Sequence, residues 1–387
     1  MSTQRTLRLL SALLCFCLAF AAGFGVHQVW GEFEQQAQSK PLELFWEAWA
    51  LVEEYFYGEL PSPQERTYGA IHTALTLLDD SYTVFVEPQP RELERDRMRG
   101  AFGGIGVVLW RSSAGEMMLS PHADSPAERA GIIEGDVLLA LDSEEITELT
   151  TVNDVSVHLH GEVGTPVTLT ISRPPTPLFE LVITREEIQT PSVTWRLLEQ
   201  PPNVGYIGIG SFTERTGDEI VTAIQELQAE GSTSLVLDLR DNYGGLIDPA
   251  VVVASQFLSD GVVLYEMTRG PEERVIKVQP GGIAADVPLV VLVNNGTASA
   301  AEIVAGALQD HGRASLVGEP TFGKGAVQLI YEISDGSSVH ITSAIWLTPT
   351  RNRIDGRGLT PDIYVVRGDG PQDEQLDRAI IHLQSQD

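Results

Sequence analysis

Apolar residues recur every three to four positions between residues 41 and 98, a spacing that predicts amphipathic helices. Pro61, Ser62 and Pro63 interrupt the pattern and predict a break between two helices. The first stripe consists of Phe45, Trp49, Val52 and Phe56, and the second of Ile71, Leu75 and Leu78. We therefore expect a small helical cap at residues 41–98, in which the aromatic stripe serves packing and not ligand binding.

Between residues 99 and 185, short apolar runs alternate with turn-forming residues, which predicts a small domain built mainly of strands. Gly103, Gly104 and Gly106 predict a flexible loop before an apolar strand at residues 106–110. Backbone N–H groups of such a loop can hold a terminal carboxylate, and the strand edge can pair with an extended peptide. We therefore expect peptide binding at Gly103, Gly104, Ile105 and Gly106. A dinucleotide fingerprint is the weaker interpretation, because a strand follows where a phosphate-binding helix should begin.

Strands and helices alternate regularly between residues 186 and 368, which predicts an α/β domain whose sheet is covered by helices. The predicted strands are 204–212, 235–239, 287–293 and 338–347, and the predicted helices are 218–230 and 249–258. An acidic linker and a short helix follow at residues 369–387. The chain is therefore expected to be a multidomain α/β protein.

The amino-terminal residues 1–30 have a different composition from the rest of the chain. Arg5 and Arg8 precede an uncharged apolar run at residues 9–26, which is either a secretory signal or a short membrane anchor. Ala19 and Ala21 offer a cleavage site of the A-x-A type. A polar linker, residues 31–40, follows, and both interpretations place the body of the protein outside the cytoplasm.

Composition excludes several classes of function. The net charge of −29 argues against nucleic acids and anionic lipid surfaces as partners, because both would be repelled. Cys15 and Cys17 both lie in the apolar run, so a cysteine nucleophile or cysteine-based zinc site is not expected in the body. The histidines lack metal-ligand spacing, and the pair Asp79 and Asp80 is better explained as part of a turn. We therefore expect neither a metal nor another cofactor.

The candidate chemistry begins at Ser299, in the sequence N-N-G-T-A-S-A-A-E-I-V. A buried strand is predicted to end just before it, and a helix with Ile303 and Val304 on its apolar face begins almost at once. A serine in the first helical turn can be an N-cap, and for an isolated serine this is the better interpretation. It can also be a nucleophile.

Lys324 changes that balance, because it lies in T-F-G-K-G among apolar segments with almost no charge nearby. Loss of hydration disfavours a lysine's charged form and lowers its pKa, so this lysine could act as a general base. Serine–lysine pairs are a known variant of the nucleophile–base arrangement. Gln328 lies four residues further along and would share a face with Lys324 in an extended chain, so its amide could orient the amine.

Two adjacent glycines, Gly244 and Gly245, follow the predicted strand 235–239. Sites in open α/β sheets are built at the carboxyl ends of strands, and paired glycines allow backbone N–H groups to point into a cleft. An oxyanion hole needs this geometry, although glycine pairs usually form plain turns. Asp238 and Arg240 nearby are better explained as a structural ion pair or as loop anchors than as catalysts.

A phosphate-binding loop is a rival interpretation of residues 318–324, G-E-P-T-F-G-K. The next residue is Gly325, where such a loop needs Ser or Thr for magnesium. The continuation A-V-Q-L-I-Y-E-I favours a strand over the helix that a phosphate loop requires. A phosphate site is therefore not expected here.

The segments G-T-A-S-A-A-E-I-V-A-G-A-L-Q-D-H-G-R-A and V-G-E-P-T-F-G-K-G-A-V-Q resemble the active-site region of the carboxyl-terminal processing proteases, a tail-specific Ser-Lys family. The resemblance implies that Ser299 is the nucleophile, Lys324 the general base and Gln328 the residue that positions the lysine. R-D-N-Y-G-G resembles the family's oxyanion loop, which implies N–H donors from Gly245 and Ala300. Many members have serine where this chain has Ala301, a position that is not the nucleophile.

The resemblance extends to the other regions. F-W-E-A-W and L-D-D-S-Y-T resemble the family's amino-terminal helices, and S-P-A-E-R-A-G-I-I-E-G-D-V-L resembles a PDZ domain. The implied fold is an N-terminal helical segment, a PDZ-like β domain at 99–185 and a crotonase-like α/β protease domain at 186–368.

The resulting hypothesis is an extracytoplasmic serine endopeptidase that cleaves unfolded proteins or peptides near carboxyl-terminal tails bound by its PDZ domain. Membrane association would come from the N-terminal segment if that segment is retained, and the sequence is compatible with an oligomer. One alternative is a non-catalytic PDZ peptide-binding scaffold on a crotonase-like fold. Another is an acyl-thioester enzyme of the crotonase type, which the PDZ block and the export segment disfavour.

Overall fold

The structure is a computed structural model, and it describes residues 42–271, 273–368, 370 and 372–385. The expected signal or anchor at 1–30 and the linker at 31–40 lie outside the described residues. In those described residues, no helix combines the length and apolar character needed to cross a bilayer. Contacts between residues divide the chain into two units, Met1–Ile71 and His72–Asp387.

The described part of the first unit contains helix α1 (42–55) and the start of helix α2 (Pro63–Thr76). Ser62 and Glu65 form a reciprocal cap at the start of α2, since each backbone N–H donates to the other side chain. Arg66 of α2 lies 5.1 Å from the ring centroid of Trp49. Trp49 of the stripe thus contacts α2, whereas the side chains of Phe45, Val52 and Phe56 are exposed in the described residues. The packing role of the stripe stays a prediction.

The second unit contains, after the end of α2, an element that the helical pattern did not predict. Strand β1 (Val84–Val86) follows α2 and precedes helix α3 (Pro88–Arg99). Val84 pairs antiparallel with His340, so this strand extends a sheet whose other strands come from the carboxyl-terminal half. The region 41–98 therefore contains this short strand in addition to the expected helices. A three-residue strand is too short to show a period in the sequence.

Residues 101–189 fold mainly as strands. The elements are β2 (Ala101–Gly104), β3 (Val107–Arg111), β4 (Met117–Pro121), α4 (Pro126–Arg129), β5 (Asp136–Leu141), β6 (Glu144–Glu145), α5 (Val152–Leu159), β7 (Pro166–Arg173), β8 (Thr176–Thr184) and β9 (Glu186–Gln189). One sheet has the order β3-β4-β5-β7-β8, with β6 paired to β5, and a second sheet consists of β2 and β9. The hydrophobic core of this region includes Leu119, Leu169 and Ile171.

The glycine segment at residues 103–106 is more ordered than expected. Gly103 and Gly104 belong to β2 and pair with Glu187 and Glu186 of β9. The flexible loop predicted at Gly103–Gly106 is therefore wrong for Gly103 and Gly104, and only Ile105 and Gly106 lie outside the strands. A Cβ on Gly103 would lie 2.0 Å from the carbonyl oxygen of Gly161, so this position needs glycine for close backbone approach and not for flexibility.

The remaining residues form the α/β domain. Its elements are β10 (Val193–Leu197), β11 (Val204–Ile209), α6 (Thr216–Ala229), β12 (Ser234–Asp238), α7 (Ile247–Phe257), β13 (Val262–Thr268), β14 (Glu273–Lys277), β15 (Leu289–Val293), α8 (Ala300–Asp310), β16 (Ser315–Gly318), β17 (Ala326–Glu332), β18 (Ser338–Leu347), β19 (Ile363–Tyr364) and α9 (Glu374–Gln384). The strands and helices predicted from the sequence are present within a few residues of their expected bounds.

The main sheet has the order β10-β11-β12-β15-β16-β19, and all neighbours are parallel except β10 and β11. Successive side chains of a strand point to opposite faces. Leu235 and Leu237 of β12 thus join the core formed with α6, α7 and α8, whereas Val236 packs in a second cluster with Leu383 of α9. The sheet is covered by helices, as its apolar strands predict.

A second sheet has the order β1-β18-β13-β14, with β17 also paired to β18. Strand β17 directly follows the glycine-flanked Lys324, and Gln328 of β17 pairs with Thr342 of β18. The parallel strands β12 and β15 of the main sheet end before the glycine pair and before Ser299, respectively. The candidate catalytic residues are therefore supplied by both sheets.

Candidate active site

Ser299 lies between the carboxyl end of β15 and the first residue of α8. Its backbone has φ 55° and ψ −118°, a conformation that residues with a side chain rarely adopt. Such strain persists only where the surrounding structure enforces it, and nucleophilic serines on sharp strand-to-helix turns are one example. This backbone conformation favours a nucleophile over an ordinary N-cap, whose φ and ψ are extended.

Side chains connect the turn before Ser299 to the loop after β12. Asn294 Oδ1 accepts the N–H of Asp241 at 2.9 Å, and Thr297 Oγ1 donates to the carbonyl of Leu239 at 2.8 Å. Asn294 and Thr297 are buried, so their polar groups depend on these partners. The two loops that carry the candidate chemistry are therefore held together as one structure.

Gly244 and Gly245 lie in that second loop, with φ values of 101° and 139° that favour glycine. A Cβ on Gly244 would lie 2.8 Å from the Cβ of Ser299, so the loop backbone touches the serine. Asn242 is fully buried and fixes the loop, because its Oδ1 accepts the N–H of Gly244 at 2.9 Å. Its carbonyl also accepts the N–H of Ala298 at 2.9 Å.

The proposed oxyanion donors border the same space. In the part of the chain that the structure describes, the backbone N–H groups of Gly245 and Ala300 donate no hydrogen bond. Ala300 N lies 3.1 Å from the position that a Cβ on Gly244 would occupy. Free N–H groups beside a nucleophile are what stabilisation of a tetrahedral oxyanion requires. The assignment of these two donors remains a prediction.

The side chains of Lys324 and Gln328 are in direct contact. Lys324 Nζ donates to Gln328 Oε1 at 2.9 Å, and Gln328 Nε2 donates to the carbonyl oxygen of Tyr82 at 2.6 Å. The ring of Tyr82 covers the amine, with 5.2 Å between Nζ and the ring centroid. The lysine amine is thus held between an amide and an aromatic ring.

Burial lowers the pKa of the Lys324 amine, because the charged form loses hydration, and the nearby carboxylate of Glu94 offsets part of this shift. Burial alone would raise the pKa of Glu94, but His340 and Arg91 hold it below its ordinary value. Glu94 is therefore charged at neutral pH. Lys324 is closer than an exposed lysine to the neutral form that a general base needs.

Glu302 is a buried carboxylate in the first turn of α8 with an exposed fraction of 0%. Its Oε2 accepts the N–H of Ser299 and of Lys324, each at 2.9 Å. Its Oε1 accepts the Thr321 hydroxyl at 2.5 Å and the Gly323 N–H at 2.8 Å. Burial raises the pKa of Glu302, and these four hydrogen bonds oppose the shift. The Glu302 side chain thereby joins the turn at Ser299 to the segment that carries Lys324.

One cavity of about 770 Å³ brings the candidate residues together, since Ser299, Lys324, Gln328 and Gly245 all line it. The apolar part of its remaining wall includes Leu246 and residues of α7, β13 and β17, and the carboxylates Glu94, Glu214, Asp248 and Glu266 also line the cavity. Lys324 Nζ bonds to Gln328, and among the described residues no hydrogen bond joins it to Ser299 Oγ. Catalytic contacts in enzymes without substrate are often long and shorten in the complex.

The remaining candidates, Ile105 and Gly106, lie between β2 and the edge strand β3. In the described part of the chain their N–H groups donate no backbone hydrogen bond, whereas their carbonyls accept from Ala127 and His122. Gly106 has φ 72°, and β3 pairs only with β4 in its sheet. Two successive N–H groups next to an open strand edge are compatible with a peptide carboxylate.

Sequence reasoning missed three residues that support this site: Glu302, Asn242 and Tyr82. Glu302 carries a signal, because a glutamate three residues after a serine is the pattern of a capping box. Asn242 could be suspected from its place beside the glycine pair. Tyr82 has no such signal, since it lies 246 residues from Gln328.

The rival sites receive no support from the described residues. Within the part of the chain that the structure describes, no group of three His, Cys, Asp or Glu side chains is arranged to hold a metal ion. Asp80 instead bonds to Tyr82 and Thr83 of its own turn. The segment 318–324 is followed by strand β17 and not by a phosphate-binding helix.

Comparison with known proteins agrees with this architecture. The pattern of "Peptidase family S41" matches residues 203–365, and that of "PDZ domain" matches residues 119–173. The chain is 37% identical over 364 residues to carboxyl-terminal-processing peptidase 2, chloroplastic, of Arabidopsis thaliana, covering 86% of this chain and 70% of the relative. It is 36% identical over 318 residues to a carboxy-terminal-processing protease of Bartonella bacilliformis, covering 80% and 71%.

A solved structure, a putative S41 protease from Bacteroides fragilis, is 17% identical with a TM-score of 0.52, covering 85% of this chain and 92% of that one. This likeness concerns the fold alone. Together, the fold and the sequence matches define a serine protease with a PDZ domain. The chain belongs to peptidase family S41, and its relatives named above are carboxyl-terminal-processing enzymes.

Proposed function

We propose that this protein is a Ser-Lys endopeptidase that cleaves unfolded polypeptides near their carboxyl-terminal tails. The observation that carries the proposal is the single cavity lined by Ser299, Lys324, Gln328 and Gly245. Its apolar wall suits extended chain segments, which expose apolar side chains when a protein is unfolded. The names of the relatives agree with a substrate of this kind.

In the proposed reaction, the neutral amine of Lys324 removes the hydroxyl proton of Ser299, and Ser299 Oγ attacks the carbonyl carbon of the scissile peptide bond. The N–H groups of Gly245 and Ala300 stabilise the oxyanion. The Lys324 ammonium then donates its proton to the departing amine, which leaves an ester on Ser299. The neutral lysine next deprotonates a water molecule that attacks this ester, and Ser299 Oγ recovers a proton as the acid product departs.

The contribution of each catalytic group to the rate enhancement can be given approximately. A single oxyanion donor contributes about 3 kcal/mol of barrier reduction, and general base catalysis contributes a further factor of about 10² to 10⁴. The amine must move within hydrogen-bonding distance of Ser299 Oγ when substrate binds. The substrate is therefore expected to displace solvent from the cavity and to complete the pair.

Tail recognition is proposed for the segment Gly103–Gly106 and the open edge of β3. The free N–H groups of Ile105 and Gly106 support this role for a terminal carboxylate, while Gly103 and Gly104 would shape the segment through their pairing with β9. Action outside the cytoplasm is proposed from the basic-flanked apolar residues 9–26. The same residues would anchor the protein in a membrane if they are retained.

The experiment is a comparison of cleavage rates on one unfolded protein carrying either a free apolar carboxyl terminus or the same terminus blocked as an amide. The proposal predicts faster cleavage of the free tail by the full chain and no cleavage by Ser299→Ala. Equal cleavage of both tails would contradict the PDZ part of the proposal. A binding-only scaffold would bind the free tail and cut neither substrate.

A further inference from the structure

Gln328 is the contact between the catalytic lysine and a distant part of the chain. Its amide has two different ends: Oε1 can only accept a hydrogen bond, and Nε2 can only donate. Oε1 faces Lys324 Nζ at 2.9 Å, and Nε2 faces the Tyr82 carbonyl at 2.6 Å. In a flipped amide, Oε1 would face the Tyr82 carbonyl oxygen, and two acceptors would oppose each other. The Tyr82 carbonyl therefore selects the orientation in which Gln328 can accept from the lysine.

The Tyr82 carbonyl is itself fixed by the turn around it. Asp80 Oδ1 accepts the Tyr82 N–H at 3.1 Å, and Asp80 Oδ2 accepts the Thr83 hydroxyl at 2.6 Å. Thr83 Oγ1 in turn accepts the N–H of Thr342 at 3.1 Å. Since Thr342 is the strand partner of Gln328, the contacts form a closed ring that begins and ends at the amide.

Burial and charge support the same arrangement. Thr83 has an exposed fraction of 7% and Phe85 of 4%, so the segment is anchored where β1 joins β18. Burial would raise the pKa of Asp80, but the hydrogen bonds from Thr83 and Tyr82 help to hold it below its ordinary value. Asp80 is thus a charged acceptor at neutral pH, which strengthens the turn.

The Tyr82 side chain makes a second contact with the base, because its ring centroid lies 5.2 Å from Lys324 Nζ. An aromatic face attracts the ammonium, and the ring also excludes water from one side of the amine. Exclusion of water is the larger of these effects here, because burial is the main cause of the lowered pKa of Lys324.

We propose that Tyr82 is a positioning residue for the base, acting with the Asp80–Thr83 turn to orient Gln328 and to shield Lys324. This inference rests on the proposed function for its kinetic consequences, and it deepens that function by assigning the base a support from outside the α/β domain. The turn is needed for the rate of reaction and not for substrate binding, since Tyr82 is not among the described residues that line the cavity.

The first test measures the lysine without requiring activity. The chain contains three lysines, Lys40, Lys277 and Lys324, so a protein labelled with ¹³C at lysine Cε gives few signals, and Lys324→Ala assigns the relevant one. The pKa of Lys324 is expected to rise toward its ordinary value in Tyr82→Ala, because water reaches the amine. It is expected to stay near the parental value in Tyr82→Phe. An unchanged pKa in Tyr82→Ala would overturn the inference, even if the protein proves not to be a peptidase.

The second test is a double-mutant cycle on peptide cleavage. Asp80→Ala and Tyr82→Ala are each expected to lower kcat about tenfold with KM changed less than about twofold, because the base is displaced and binding is not. In a Gln328→Ala background, Asp80→Ala is expected to change kcat less than about twofold, because its route to the base has been removed. If Asp80→Ala lowers kcat by the same factor in the Gln328→Ala background as in the parent, the inference is overturned.

A control variant separates positioning from general damage to the sheet. Asp335 forms a similar turn, in which its Oδ1 accepts the N–H and the hydroxyl of Ser337 just before β18. Asp335→Ala is expected to lower the melting temperature as Asp80→Ala does, yet to leave kcat and the lysine pKa unchanged. If Asp335→Ala lowers kcat as much as Asp80→Ala, the effect is one of sheet stability and the inference is wrong.

Discussion

Ser299 and Lys324 share one hydrogen-bond acceptor, because Glu302 Oε2 lies 2.9 Å from the backbone nitrogen of each. The two residues are far apart in sequence and come from different sheets, so their relative position depends on such a link. The acceptor is a buried carboxylate, whose hydrogen bonds are stronger than those of a neutral group. The geometry of the proposed dyad is therefore set through the backbone as well as through the side chains.

Replacement of Glu302 by Gln is expected to reduce both stability and activity. An amide would direct an N–H₂ group at two of the four donors that now face the carboxylate. We expect the free energy of unfolding to fall by about 3 kcal/mol and kcat by about a hundredfold. Denaturant unfolding and steady-state cleavage measure these changes. As a control, Glu319→Gln, directly after β16, should change neither stability nor kcat. Parental kcat in a folded Glu302→Gln protein would contradict the account.

Replacement of Glu94 by Gln is expected to shift the pH dependence of cleavage. The Glu94 carboxylate favours the charged amine, so its removal lowers the pKa of Lys324 further. The neutral base is then available at lower pH, and the acid limb of kcat/KM moves to lower pH. Glu92→Gln, on the same helix but lining a different cavity, is the matched control. An acid limb that stays in place or moves to higher pH would show that Glu94 does not act on the base.

Gly244→Ala is expected to abolish most activity. Its Cβ would lie 2.8 Å from Ser299 Cβ and 2.9 Å from the Ala298 carbonyl, so the serine or the oxyanion loop must shift. A loss of about a hundredfold or more in kcat is expected, similar to the loss of an oxyanion donor. Gly231→Ala is the control, because Gly231 also has a positive φ but nothing lies within 4 Å of its Cβ position. It should cost about 1 kcal/mol of stability and no activity; equal kcat in both variants would refute the argument.

Arg240→Met is expected to destabilise the protein through Asp238. Arg240 has 8% of its side chain exposed and pairs with Asp238 at 2.6 Å and with Asp373, the N-cap of α9, at 2.8 Å. Removal of the arginine leaves a buried carboxylate without its cation, which costs about 3 kcal/mol. Chemical denaturation measures the loss, and the double variant Asp238→Asn with Arg240→Met should recover part of it. If the single variant is as stable as the parent, the pair has no structural role.

The sequence predicted the parts of the fold that repeat a period over many residues. The apolar strand before Ser299 and the helix after it follow from local spacing alone, and so does the helix α9 with Leu376 and Leu383 on its apolar face. Lys324 could be selected because glycines flank it and almost no charge lies nearby in the sequence. Its contact with Gln328 was expected from an extended chain, although β17 begins only at Ala326 and its register is irregular between Val327 and Gln328.

The remaining features depend on contacts between distant segments. Strand β1 is defined by pairing with β18, which no local pattern records. Gly103 and Gly104 have the composition of a loop, but pairing with β9 places them in a strand. The same reason applies to Tyr82, whose carbonyl acquires a role only when the sheet brings it to Gln328. Tertiary contacts thus determine which residues support the catalytic candidates, while the local sequence indicates the candidates themselves.

The central claim is that Lys324 acts as the base for Ser299, and the most direct measurement is kcat for cleavage of one unfolded substrate by matched lysine variants. We expect Lys324→Ala to lose at least about a thousandfold, close to the loss in Ser299→Ala, because the two residues act as a unit. Lys277→Ala, which removes an exposed lysine of β14, should cleave at the parental rate. Cleavage by folded Lys324→Ala at the rate of the parent would contradict the account.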